Sequence, residues 1–185
     1  MKLIAAVLVA LAAVSLAGCV DYPPDGTRSP SAGATVVPGG NATADCAASR
    51  PVPGPAAVTP ADLAVGPLLY PGLAEGFAPG QSGEQGEIRF YKIGVELPAD
   101  ASATVSIGSA ARDFAGIVIE TGPDAGYSSV TYTSCSSAIQ TGLVFWVGGF
   151  SLVGRETACV PLDVQIRGEA SARHVILSIG AGKCD

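Results

Sequence analysis

Between residues 61 and 185 the apolar side chains recur at every second position in short runs, and this alternation limits the fold more than any other feature of the chain. The clearest run sets Val160, Leu162, Val164 and Ile166 against Pro161, Asp163, Gln165 and Arg167. Successive side chains of a strand point to opposite faces, so a period of two with one apolar face predicts a half-buried antiparallel strand. The following run sets Val175, Leu177, Ile179 and Ala181 against Ile176 and Ser178. The segment between them is polar and short, which predicts a hairpin. With Ile166 opposite Val175, Cys159 would fall level with about residue 182.

Residues 63–70, 87–97, 103–107, 116–121, 128–134 and 143–153 read as further strands, separated by Gly, Pro, Asp and Ser. Within 87–97 the alternation slips. Ile88 and Phe90 share one phase and Ile93, Val95 and Leu97 the other, which predicts a β-bulge near Tyr91 and Lys92. Within 143–153 the pair Gly148-Gly149 predicts a bend that lets one strand pass between two sheets. No segment carries an apolar stripe of helical period. The pattern predicts an all-β fold, an antiparallel β-sandwich with jelly-roll and immunoglobulin-like topologies both open.

Residues 19–60 contrast with this. They are rich in Pro, Gly, Ala, Ser and Thr and nearly lack large apolar side chains. Such a stretch buries too little surface to offset its ordering entropy, and it is expected to be a flexible tether. A flexible chain of ~40 residues has an end-to-end distance of roughly 35 Å. Cys46 lies within it and is expected to pin its far end to the domain. Asn41-Ala42-Thr43 fits the N-glycosylation triplet and is read as a chance match.

At the start of the chain Lys2 precedes an apolar run over residues 3–14, followed by Ser15, Leu16, Ala17 and Gly18. The run is too short to span a bilayer, which takes ~20 apolar residues. It reads as a signal peptide over residues 1–18. Leu16-Ala17-Gly18-Cys19 resembles the bacterial lipobox. The resemblance implies that the Cys19 thiol receives a diacylglycerol and that the preceding peptide bond is cut. Acyl chains such as palmitate contribute ~0.8 kcal/mol per buried methylene, so two or three of them hold a small domain at a bilayer. The expected location is the extracytoplasmic face of the cell membrane. The expected order is signal peptide 1–18, lipid-anchored tether 19–60 and sandwich domain 61–185.

The chain has 10 basic and 16 acidic residues, a net charge of −6. Arg89, Lys92, Arg112, Arg155, Arg167, Arg173 and Lys183 are scattered singly, so no basic patch for nucleic acid or anionic headgroups can be read. The lipid on Cys19 is left as the membrane handle. Acylation there reduces five cysteines to Cys46, Cys135, Cys159 and Cys184. An even number in an oxidising compartment predicts two disulfides. A four-thiolate metal site would need the short Cys spacing that is missing here. The hairpin register brings Cys184 near Cys159 and leaves Cys46 for Cys135. Cys135 with Cys159 and Cys46 with Cys184 is the alternative.

Motifs for catalysis are sparse, and none implies a cofactor. His174 is the one histidine and reads as a solvated residue at a hairpin end. A multi-histidine metal cage is excluded. Ser82, in Gly80-Gln81-Ser82-Gly83, lacks the spacing of a nucleophile elbow. Gly180-Ala181-Gly182-Lys183 lacks the Ser or Thr and the helix that a phosphate loop requires, and reads as a turn. Glu87, Glu96, Asp113, Glu120, Asp124 and Asp163 could form a glycosidase pair only by meeting in space. Calcium would need a clustered acidic loop, and none occurs. Phe90, Tyr91, Tyr127, Tyr132, Phe145, Trp146 and Phe150 read chiefly as core, with Trp146 the candidate for an exposed binding patch.

Val130-Thr131-Tyr132 ahead of Cys135, Gly148-Gly149-Phe150, Cys159-Val160-Pro161-Leu162-Asp163-Val164 and Ser178-Ile179-Gly180-Ala181-Gly182-Lys183-Cys184 resemble a group of exported actinobacterial proteins of uncharacterised function. Gly66-Pro67-Leu68 resembles that group's first strand. The resemblance implies an envelope-exported β domain from a Gram-positive, high-GC bacterium and brings no activity. The expected function is a non-enzymatic envelope lipoprotein that binds a protein or a cell-wall glycan. A hydrolase of wall polymers using spatially assembled carboxylates is one rival. A structural envelope component without a ligand is the other.

Overall fold

A computed structural model describes residues 37–52, 58–80, 82–120, 122, 124–136 and 142–184. The signal peptide, Cys19 and the first part of the tether lie outside the described residues. The described chain forms twelve strands: β1 (Asn41–Ala44), β2 (Arg50–Val52), β3 (Leu63–Val65), β4 (Leu68–Tyr70), β5 (Gly83–Gln85), β6 (Ile88–Pro98), β7 (Ser102–Ile107), β8 (Ala115–Ile119), β9 (Ser129–Thr133), β10 (Leu143–Val153), β11 (Ala158–Ile166) and β12 (Arg173–Ile179). They build the expected β-sandwich. Sheet I has the order β1-β9-β7-β11-β12. Sheet II has the order β2-β10-β6-β4-β3, with β8 also pairing β10 and β5 also pairing β6. From β6 to β11 each connection passes between the sheets, and β11–β12 is a hairpin within sheet I.

The alternation of β11 and β12 becomes the inner face of sheet I. Val160, Leu162, Val164, Ile166, Leu177 and Ile179 are all buried. They face Tyr91, Val95, Leu97, Val144, Trp146, Phe150 and Leu152 of sheet II across one continuous core. The hairpin register differs from expectation. Leu162 lies opposite Val175 and Cys159 opposite Ser178, because β12 starts at Arg173, ahead of its apolar run. Residues 63–70 form two strands rather than one, folding back at Gly66, whose φ is 62°.

Sheet II is built on β6 and β10, which pair without interruption from Leu143 opposite Pro98 to Val153 opposite Ile88. The expected bulge is absent. Phe90 stays in register on the outer face, so the slip in alternation records an apolar outer surface. Nor does Gly148-Gly149 carry the strand into the other sheet. The two glycines are instead required by close approach. A side chain at Gly149, with φ 155°, would strike the Tyr91 carbonyl, and one at Gly148 the Val118 carbonyl.

The tether expected to run to residue 60 joins the sandwich earlier. β1 pairs in parallel with β9, and β2 pairs antiparallel with β10. Ala44 is buried and the Trp146 indole donates to the Asp45 carbonyl at 2.9 Å. This strap is held by backbone pairing and a cross-link more than by apolar burial, so composition conceals it. Cys46 is joined to Cys135, Cα atoms 5.0 Å apart, and Cys159 to Cys184, 5.7 Å apart. Cys184 reaches Cys159 because the chain turns back at Gly180 and Gly182, both at positive φ, with Ser178 Oγ donating to the Gly182 carbonyl at 2.5 Å.

The two bridges close segments of 89 and 25 residues. By the chain-entropy relation, replacing the Cys46–Cys135 pair with serines is expected to cost about 4–5 kcal/mol, and replacing the Cys159–Cys184 pair about 3–4 kcal/mol. Urea denaturation of the two double variants checks both the size and the order.

Candidate functional site

On the outer face of sheet I the hydroxyls of β7 and β9 bond one another, while Ile176 of β12 stands exposed. Ser102 bonds Thr133, Thr104 bonds Thr131 and Ser106 bonds Ser129, at 3.3, 2.8 and 2.9 Å across β7 and β9. His174 Nδ1 lies 2.6 Å from Asp163 Oδ1 on the same face, and Ser106 is the register partner of Asp163 on the other side. The carboxylate thus sits between imidazole and hydroxyl. Activation of a nucleophile needs the imidazole in the middle, so this row is no catalytic triad.

The other sequence candidates are dispersed. Glu87, Asp113, Glu120 and Asp124 are exposed. Glu120 pairs with Arg50 at 3.3 Å, and Asp124 accepts from Gln85 at 3.2 Å. Among the described residues no hydrogen bond joins Ser82 or the turn 180–183 to a histidine or carboxylate side chain. Among the described residues no group of three or more His, Cys, Asp or Glu side chains could hold a metal ion. The Trp146 patch does not exist, because Trp146 is only 2% exposed and packs on Tyr132 with ring centroids 5.5 Å apart. Tyr91, Tyr132 and Phe150 are also core, whereas Phe90, Tyr127 and Phe145 are half-buried.

Relief occurs on sheet II. Gly148 and Gly149 leave bare backbone as the floor of a cleft of about 230 Å³, walled by Phe90, Val118 and Val147 with Lys92 and Glu120 at its rim. Farther along the same outer face the Phe145 ring covers Gly94, where any larger residue would collide with it. Lys92 also lines a second, larger opening at the edge of β6. β4 meets β6 at Leu69 opposite Glu96, and β5 covers only Ile88 to Phe90. No described strand pairs with residues 91–95 on that edge. The opening there has a volume of about 460 Å³, lined by Gly72, Leu73, Gly76, Phe77, Lys92 and Ile93. That is within the ~300–1,000 Å³ range of ligand pockets.

The neighbouring elements hold this gap open. The Asp62 carboxylate accepts from the Gly72 and Thr59 amides, at 2.7 and 2.8 Å, and from the Thr59 hydroxyl at 2.9 Å. The chain then leaves sheet II altogether. The Phe77 amide donates to Ser178 and its carbonyl accepts from Gly180, both at 2.8 Å, which ties it to the end of β12. On the far side Arg89 bridges Glu84 of β5 to Glu156, and the Tyr91 hydroxyl donates to the Glu156 carbonyl at 2.6 Å. Phe77 packs on Tyr91, 5.3 Å between centroids, and seals the core beneath the gap.

Two carboxylates beside the gap respond oppositely to their surroundings. The amide of Thr59, then that of Gly72 and the Thr59 hydroxyl, hold Asp62 below the usual aspartate value. Burial, and next the charge of Asp62, raise Glu96 above the usual glutamate value. Sequence reasoning named Glu96 but neither Asp62 nor the gap.

Comparison with protein families, with curated proteins and with solved structures finds no match for this chain.

These shifts act in opposite senses on stability. The folded state holds the Glu96 proton more tightly than the unfolded chain, so Glu96 opposes folding at neutral pH and ceases to do so as pH falls through its raised value. Asp62 stabilises at neutral pH, and that contribution is lost as pH falls through its depressed value. Glu96→Gln is therefore expected to raise the melting temperature at pH 7, with the gain vanishing by about pH 4. Asp62→Ala is expected to lower it. Thermal unfolding across pH 3–8 checks both directions.

Proposed function

We propose that the protein is a cell-envelope lipoprotein whose sandwich serves as a non-enzymatic binding module, displayed on the extracytoplasmic face through acyl chains on Cys19. The observation that carries this reading is the joined relief on sheet II. A glycine-floored apolar cleft and an incomplete strand edge share Lys92, whereas the outer face of sheet I bonds to itself. The lipobox at residues 16–19, the resemblance to exported actinobacterial proteins and two disulfides suited to an oxidising compartment support the location. The partner class is an envelope protein or a wall glycan. The acidic balance and the singly scattered cations of the sequence argue against nucleic acid as the partner.

Two measurements test the reading. Cys19→Ser is expected to release the protein from cells into the medium, and membrane association that persists in this variant contradicts lipid anchoring there. The immobilised mature chain is expected to enrich an envelope component from a membrane and wall extract. Val118→Arg, which fills the cleft from a half-exposed position, should reduce that capture at least about tenfold, a loss of roughly 1.4 kcal/mol. No enrichment, or equal capture by the variant, removes the binding function.

A further inference from the structure

The free edge of β6 has a determinate polarity. β5 and β6 are joined by the two-residue turn Gly86-Glu87, with Gln85 opposite Ile88 and Gly86 at φ 62°. In such a hairpin the residues flanking the turn exchange both backbone bonds, so the amide and carbonyl of Ile88 face β5. Alternation then turns those of Phe90, Lys92, Gly94 and Glu96 to the same edge and those of the odd-numbered residues toward β10. The Gly154 amide, which donates to the Glu87 carbonyl at 2.9 Å, fits this parity. Phe90 is met by Gly83 of β5 and Glu96 by Leu69 of β4. Lys92 and Gly94 therefore present their peptide groups to the opening between those strands. The stretch 91–95 spans roughly 14 Å at ~3.4 Å per residue, room for a strand of three or four residues.

We infer that this opening is a strand-addition site, which takes a short extended peptide of a partner protein carrying an apolar–acidic–apolar triplet. The inference rests on the binding-module reading and names its ligand. Unpaired peptide groups in a row are matched by another extended chain. Lys92 is exposed on the outer face, so the residue opposite it is an acid. The neighbours of that acid point inward beside Tyr91 and Ile93, into the opening lined by Leu73 and Phe77, and they are apolar. A lysine in the middle of an edge deters indiscriminate pairing. Here it rejects cationic and admits acidic segments.

Amide hydrogen exchange on the full mature chain tests this, with the capped pentapeptide Thr-Val-Glu-Val-Thr as probe. In the free protein the Lys92 and Gly94 amides are expected to exchange fast while those of Ile93 and Val95 are protected. Millimolar probe should protect Lys92 and Gly94. Lys92→Glu should weaken the probe about fivefold and strengthen its Thr-Val-Lys-Val-Thr counterpart by a similar factor. Protection of Lys92 and Gly94 without probe means the edge is already paired and overturns the inference, as does an absence of protection with probe. If the probe fails while capture sensitive to Val118→Arg persists, strand addition alone is lost. Failure of both removes the binding-module reading as well.

Discussion

The uninterrupted ladder between β6 and β10 is the interaction on which the rest of the molecule is organised. Eleven consecutive residue pairs make one long ribbon; β2, β4, β5 and β8 are short additions to its two edges, and β3 pairs with β4 beyond them. β2 and β8 divide the edge of β10, while β4 and β5 divide the edge of β6. A ribbon this long flanked by short strands cannot be covered along its whole length. The surface relief of sheet II is thus a product of unequal strand lengths, and the glycines of β10 deepen it by removing side chains where the backbones crowd.

The second constraint is the way the two sheets are locked. Sheet I pairs the hydroxyls of β7 and β9 across its outer face. Its inner surface supplies Val105, Ile107, Val130, Val160, Leu162 and Val164, all nearly or fully inaccessible. Loop 71–77 closes one side of the core with Leu73 and Phe77 and then binds the end of β12. The strap from β1 to β2 closes the other side with Ala44 and the Trp146–Asp45 bond. Both closures rely on backbone hydrogen bonds at sites where few large side chains are available.

This division explains what could be read from the sequence. The strands whose burial alternates, β9 and β11 throughout and β7 from Ala103 onward, were legible because their residues have one environment per face. β1, β2 and β5 were not, since they are short, polar or exposed and are held by pairing and cross-linking. The misplaced hairpin register, with Val175 set against Ile166 instead of Leu162, arose because β12 opens with Arg173 and His174, two polar residues that extend the strand ahead of its apolar run. Trp146 was the natural candidate for a ligand platform. Its even position in β10 puts it on the same face as Val144, Phe150 and Leu152, and that face is the core. The opening beside Lys92 depends on where β4 departs and β5 arrives, and no periodicity encodes such a junction.

The placement of the two cross-links has a mechanical consequence. Traction applied at the amino end reaches Cys46 and passes covalently to Cys135, 89 positions on, so the segment between them cannot be drawn out while that bond is intact. Cys159 and Cys184 protect the last segment in the same way. Between the two cross-links, only residues 136–158 lie on an extensible path. That path contains β10, which has three partner strands. A strand paired along both of its edges is therefore the one that would bear tension, a suitable arrangement for a domain held from one end.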